Sequence, residues 1–347
     1  MPTTWRILFL AEVLVGLAVT SALPAQGLVG PSALRADDVA GLHLAQFHAA
    51  PSGRSLSPLF DDGLPAASSA LPSQPGERFG TADSYSSLAP AMDRGWSFQL
   101  LPEGLIYHSY LAGVKESRLA SAWNYEKDWG WMWDVTLGGR VGILRYGSEG
   151  GSRPEGWQLD IEGAAMPRLD LEHERDVIAA DFRAGVPLTF GRGPYQTKFG
   201  YYHLSSHLGD EFMLRFPDVE RINYSRDVLV WGHSLYWGDD LRFYAEAGWA
   251  FCSDGGSEPW EFQFGIDYSP VAATGCLRGA PFAAINWQIQ QELDYSGRLV
   301  VQAGWQWRGA TGRLFRIGAQ YFNGKSEQFE FYRDYEEKIG MAIWYDF

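Results

Sequence analysis

The chain has 347 residues, a formal net charge of −14, 15 Trp, 17 Tyr, 20 Phe and 40 Gly. That acidic balance argues against nucleic-acid binding, which needs a basic face. Two cysteines without a CxxC or a His/Cys cluster give no zinc motif.

At the N-terminus, Arg6 precedes a mostly apolar run from Ile7 to Ala18, broken by Glu12. Small residues follow at Thr20, Ser21, Ala22 and Ala25. This pattern predicts a secretory signal peptide over residues 1–25, with a retained anchor helix as the alternative. Residues 26–92 are rich in Ser, Pro, Ala and Gly without periodicity, which predicts a disordered, low-complexity periplasmic segment. Residues 93–114 differ: Trp96, Phe98, Leu100, Leu105, Tyr107 and Tyr110 supply enough apolar surface to dock beneath or inside the domain C-terminal to them. His108 in this stretch reads as a packing or hydrogen-bonding residue.

From Lys115 to Phe347 the period is two almost throughout. In Trp260–Tyr268 every even residue is apolar and every odd one polar or Gly. Ile285, Trp287 and Ile289 alternate with Asn286, Gln288 and Gln290, and Phe315, Ile317 and Ala319 with Arg316, Gly318 and Gln320. Such alternation means strands with one apolar face. Strands are expected to begin near residues 115, 131, 156, 174, 195, 220, 240, 258, 280, 297, 312 and 337. After the N-terminal region no stretch has the roughly 18 apolar residues of a spanning helix, so an exported chain of this kind crosses a membrane only as a closed barrel. The aromatic stripe then faces lipid, and the charged face lines the lumen. A mean hydropathy of −0.21 suits that division.

The expected fold is therefore all-β: a transmembrane antiparallel outer-membrane β-barrel of about twelve strands. Ile339, Met341, Ile343, Tyr345 and Phe347 share one face of the last strand. A terminal aromatic on such a strand resembles the signal read by the outer-membrane barrel assembly machinery. This map puts Cys252 and Cys276 at opposite barrel ends, so no disulfide is expected. Luminal Asp134, Arg140, Asp160, Glu162, Asp181, Arg183, Arg242, Glu246, Asp267 and Arg316 are expected to neutralise one another and close the pore.

The pattern breaks on the strand Tyr195–Leu208. With Phe199 and Tyr201 facing lipid, the same parity puts His203, Ser205 and His207 outward near the outer leaflet, where polar side chains need partners or a task. A loop over 209–219 would pair Leu208 with Glu220, setting Ser205 opposite Asn223 and His203 opposite Ser225, with Asp227 nearby. A serine beside an imidazole, oriented by an amide or carboxylate, is the arrangement that activates serine for acyl transfer. The expected roles are His203 as base, Ser205 as nucleophile and Asn223 as orienter. His207, Ser225 and Asp227 are secondary candidates. Asp210, Glu211, Asp218 and Glu220 on the adjoining loop are candidate Ca²⁺ ligands.

His203-Leu204-Ser205 resembles the His-x-Ser strand motif of outer-membrane phospholipase A and of the lipid A 3-O-deacylases. That resemblance implies a lipid-acyl hydrolase acting on outer-leaflet phospholipid or lipid A, with outer-membrane lipids or lipopolysaccharide as its partners. In the phospholipase an Asn on the following strand orients the His, and in the deacylase a Glu does. Asn223 matches across the hairpin, at a longer spacing from Ser205 than in those enzymes. Leu101-Pro102-Glu103-Gly104, Tyr110-Leu111-Ala112 and the block from His203 to Glu211 resemble an uncharacterised family of predicted barrels, domain of unknown function 1207, which implies no activity. Two readings stand at this point. One is a hydrolase with its site on the barrel exterior. The other is a non-enzymatic barrel, whether structural protein, adhesin or narrow channel, in which His203, Ser205 and His207 form a structural polar cluster.

Overall fold

The computed structural model describes residues 95–347; the signal-peptide and low-complexity expectations lie outside them. The described residues form one antiparallel sheet of thirteen strands. The first is the short β1 (Ser97–Leu100), followed by β2 (Leu119–Glu126), β3 (Gly130–Gly147), β4 (Gly156–Asp170) and β5 (Asp176–Arg192). Next come β6 (Tyr195–Leu208), helix α1 (Asp210–Arg215), β7 (Ser225–Trp237), β8 (Leu241–Asp254) and β9 (Trp260–Tyr268). Helix α2 (Gly275–Arg278), β10 (Ala280–Gln290), β11 (Gly297–Arg308), β12 (Leu314–Lys325) and β13 (Tyr335–Asp346) complete the order. Because β13 pairs with β2 and β3 with β4, strands β2 to β13 close a twelve-stranded barrel without a free edge. The strands begin close to the positions read from the sequence; the largest displacement is at β7, expected near 220 and found at Ser225.

The barrel is inside-out relative to a soluble protein. Trp231, Trp287, Ile339 and Met341 are exposed on its outer face, while Arg145, Arg226, Arg298 and Arg316 are fully buried inside. Period-two sequences put one set of residues on each face, so the outer belt is apolar and the lumen polar. At the β5–β6 turn Gly193 adopts φ 56°, a left-handed conformation that glycine takes without a Cβ penalty.

Strands β1 and β2 pair with the same edge of β3, at Leu144–Gly147 and at Gly130–Leu137. Between them the chain leaves the wall and runs through the lumen. Leu105, Ile106, Tyr107, Tyr110, Leu111 and Ala112 in this inserted segment are all buried. Arginines from the wall hold its carbonyls: Arg145 donates to Gly104 at 2.8 Å, Arg242 to His108 at 2.9 Å and Arg316 to Leu111 at 3.2 Å. Tyr110 donates to Glu246 at 2.7 Å. His108 bonds the Ser152 carbonyl through Nε2 at 3.1 Å.

Ion pairs fill the remaining lumen. Arg140 meets Asp160 at 2.6 Å, Arg183 meets Glu162 at 3.1 Å, Arg316 meets Asp346 at 2.9 Å and Lys198 meets Glu246 at 2.7 Å. At the end of the barrel away from the C-terminus, the β12–β13 loop turns inward and buries Phe329 and Tyr332. The Glu330 amide in this loop donates to Ser206 Oγ at 3.0 Å. Phe347 closes the wall beside β3: a β-carbon on Gly139 would sit 2.9 Å from its ring. Both cysteines are free and exposed, Cys252 on β8 and Cys276 on α2.

Candidate functional site on the barrel exterior

On β6, Gln196, Lys198, Tyr202, Leu204, Ser206 and Leu208 are buried in the lumen. The residues between them lie on the outer face, so His203, Ser205 and His207 point away from the lumen. The pairing of β6 with β7 sets His203 directly opposite Asp227. Their side chains meet, with Nδ1 2.9 Å from Asp227 Oδ1. A carboxylate only accepts, so Nδ1 carries a proton, and in the neutral tautomer this leaves the Nε2 lone pair free. Tyr201, two residues earlier, donates its hydroxyl to the same oxygen at 2.6 Å. The imidazole stays 42 % exposed, which leaves Nε2 reachable from outside the barrel.

The register corrects the expected partners by two residues. Ser205 lies opposite Ser225, and His203 opposite Asp227, so Asn223 does not lie across from Ser205 as the spacing predicted. The loop is longer than the sequence reading allowed because α1 and the segment after it occupy residues up to Tyr224. Asn223 itself is exposed and left-handed, at φ 55°, and its backbone amide donates to Glu330 at 3.1 Å. That bond takes it out of the β6–β7 ladder. His207 is engaged separately, with Nδ1 2.7 Å from Arg221 Nη2.

Asp210 and Glu211 open α1, and Asp218 and Glu220 follow it, all four exposed. Among the described residues no three His, Cys, Asp or Glu side chains come together to hold a metal ion. The loop acids thus do not converge as the Ca²⁺ expectation required.

A third strand extends the cluster. Cys252 on β8 is opposite Asp227, next to a bulge that leaves Phe251 exposed as well. The sequence considered Cys252 only as a disulfide partner; no local signal ties it to Asp227, because the contact depends on the register of two hairpins. At this level of the barrel His203, Asp227 and Cys252 form one row across three strands, and Ser205, Ser225 and Asp254 a second. Toward the C-terminal end the same face is apolar, with Phe199, Tyr201, Leu229, Trp231 and Trp249 exposed.

Chemically, an imidazole held by a carboxylate can act as a base, and a serine-activating site needs such a base. Ser205 shares the face of His203 at a two-residue spacing, about 7 Å between Cα atoms. Its hydroxyl makes no hydrogen bond to the imidazole. Catalytic hydrogen bonds of this kind often tighten only with substrate bound.

Comparison with known proteins gives a family. A family model described as a protein of unknown function (DUF1207) matches residues 64–347. No curated protein matches the chain. Among solved structures, it is similar to the calcium-bound outer-membrane phospholipase dimer of Salmonella typhi, at 12 % identity and a TM-score of 0.44. That likeness covers 66 % of this chain and 90 % of the other. Outer-membrane phospholipase A from Escherichia coli is similar at 12 % identity and a TM-score of 0.44, over 67 % of this chain and 95 % of that one.

Proposed function

Because this chain belongs to the DUF1207 family, whose description carries no activity, we propose a function from the outer-face site itself. The protein is an outer-membrane barrel that hydrolyses ester-linked acyl chains of outer-leaflet lipid, phospholipid or lipid A. The observation that carries this reading is His203 bonded to Asp227 on the apolar exterior, with Ser205 on the same face. A charged, hydrogen-bonded pair beside exposed Trp and Phe is costly in lipid, and intramembrane ionisable groups usually mark function.

In the reaction, His203 Nε2 takes the Ser205 proton as Oγ attacks the ester carbonyl. The bond to the lipid alcohol breaks, and His203 returns the proton to the leaving oxygen. Water then frees the fatty acid by the same route. Asp227 holds the ring and balances the imidazolium. Ser225, across the ladder from Ser205, offers a hydroxyl to the developing oxyanion. Tyr201, Leu229 and Trp231 line the apolar face along which an acyl chain would lie.

Fatty-acid release from mixed micelles of phospholipid or lipid A tests the reading. Wild-type protein should release acid, and Ser205→Ala should not. Absence of release from every lipid class, with and without Ca²⁺, would leave the second reading. In that reading the barrel is an inert structural protein or adhesin, consistent with the absence of a hydrogen bond from Ser205 to His203.

A further inference from the structure

We propose that the lumen holds one monovalent cation between Glu116, on the inserted segment, and Gln288, on β10. The site is a small cavity of about 20 Å³, room for one water-sized occupant, lined by Glu116, Arg183, Tyr202, Glu246, Glu261 and Gln288. It lies inside the barrel and does not depend on the hydrolase reading.

The charges of the lining are almost all answered. Lys115, also at the cavity, meets Asp181 at 2.7 Å, and Arg183 meets Glu162 at 3.1 Å. Glu246 meets Lys198 at 2.7 Å, and Glu261 meets Arg226 at 3.4 Å. Glu116 is the exception. It is 9 % exposed, and no described residue hydrogen-bonds its carboxylate or forms an ion pair with it. Arg140, Arg183 and Lys198 act on it only at longer range, and each has a closer carboxylate. Gln288, 6 % exposed, has a buried Oε1 without a donor. Gly248, also at the cavity, makes room for Glu261: a β-carbon there would sit 2.7 Å from Glu261 Oε1.

Both unmet groups are oxygen acceptors, one of them a carboxylate. Burying a carboxylate without a paired cation is costly. Water can donate to these oxygens, whereas a small cation takes both as ligands and pairs with the carboxylate. A single unpaired carboxylate favours a singly charged ion: Na⁺, K⁺ or ammonium. Ca²⁺ takes six to eight oxygen ligands with more carboxylate among them. A cation here ties the inserted segment to the barrel wall.

Full-length protein in detergent should be melted in KCl, NaCl and ammonium chloride, against N-methylglucamine chloride at equal ionic strength. Binding to the folded state raises the apparent melting temperature with cation concentration. The wild type should melt several degrees higher in at least one small cation than in N-methylglucamine. Glu116→Gln should melt alike in all four salts, and Glu116→Asp should keep the dependence. Crystals soaked in Rb⁺ or Tl⁺ should carry an anomalous peak within reach of Glu116 and Gln288, a readout that survives if Glu116→Gln fails to fold. The proposal is overturned by equal wild-type melting in every salt, by a dependence that persists in Glu116→Gln, or by an empty cavity in the soaked crystals.

Discussion

Tyr201 and His203, two residues apart on β6, converge on one oxygen of Asp227 in the neighbouring strand. Two donors on a single acceptor fix both the carboxylate and the imidazole ring. Charge-assisted hydrogen bonds of this type are roughly twice as strong as neutral ones, and a low-dielectric surround strengthens them further. The cluster therefore has a defined geometry on a face otherwise built of aromatic and aliphatic side chains.

The Phe347 ring fills the space above Gly139 on β3. Gly139→Val would drive a branched side chain into the ring, since even a β-carbon would approach it to 2.9 Å. Both Gly139→Val and deletion of Phe347 are expected to reduce assembled barrel, read as loss of heat-modifiable migration on gels. Normal assembly of both variants would remove the role assigned to this contact.

Arg168 is the hub of the largest buried ion cluster. It meets Asp134 at 2.6 Å, Glu336 at 2.6 Å and Glu327 at 2.9 Å, with Lys338 bonded to the same three carboxylates. Arg168→Met leaves those carboxylates with one cation. Breaking a buried pair from one side typically costs about 3–5 kcal/mol. The temperature at which the folded gel band disappears should fall markedly; an unchanged temperature would mean that the network is not a main support of the barrel.

The alternation made the strands and the luminal charges legible in the sequence, since a period of two assigns every residue to a face. The partners of His203 were less legible, because register across β6 and β7 depends on the loop between them. That loop contains α1 and a left-handed Asn223 whose amide is held by Glu330, 107 residues away in sequence. Such a contact has no local signature. The same holds for the split of one wall strand into β1 and β2. An aromatic stretch announces that residues 93–114 dock, but the arginines that receive it come from β3, β8 and β12.

His108 gives the inserted segment a pH dependence. Burial and the nearby Arg308 lower its pKa from 6.5 to about 4. The unfolded chain therefore binds a proton between those values that the folded one does not. Stability is full above about pH 6.5 and declines as pH falls toward 4, by about 3 kcal/mol. His108→Gln should flatten that part of the profile in denaturant melts at pH 7 and 4.5. An identical wild-type and variant profile would mean that His108 titrates normally.

The filled lumen predicts low conductance. The inserted segment occupies the bore and wall arginines bind its carbonyls, so planar bilayers should record little or no steady current. Deleting residues 102–117 and joining the flanks with a short Gly-Ser linker should open a channel. Large stable conductance in the wild type would contradict a closed bore.

The outer-face site is the most exposed expectation. Ser205→Ala and His203→Ala should each abolish fatty-acid release without altering heat-modifiable migration, a loss on the order of 10⁴-fold or more for residues that act as a unit. Asp227→Asn should cost roughly 10–10⁴-fold, because an amide can present the wrong group to Nδ1 and no longer balances the imidazolium. Tyr201→Phe should cost only a few-fold, since Asp227 keeps His203. Asn223→Ala should leave release unchanged, which separates the observed register from the one expected by spacing. The double variant His203→Ala/Asp227→Asn should be no worse than His203→Ala, as expected when Asp227 acts through the imidazole. A fluorophosphonate probe should label the wild type and Asn223→Ala, and neither Ser205→Ala nor His203→Ala. Labelling at Ser225 instead of Ser205, or release that survives Ser205→Ala, would remove Ser205 as the nucleophile.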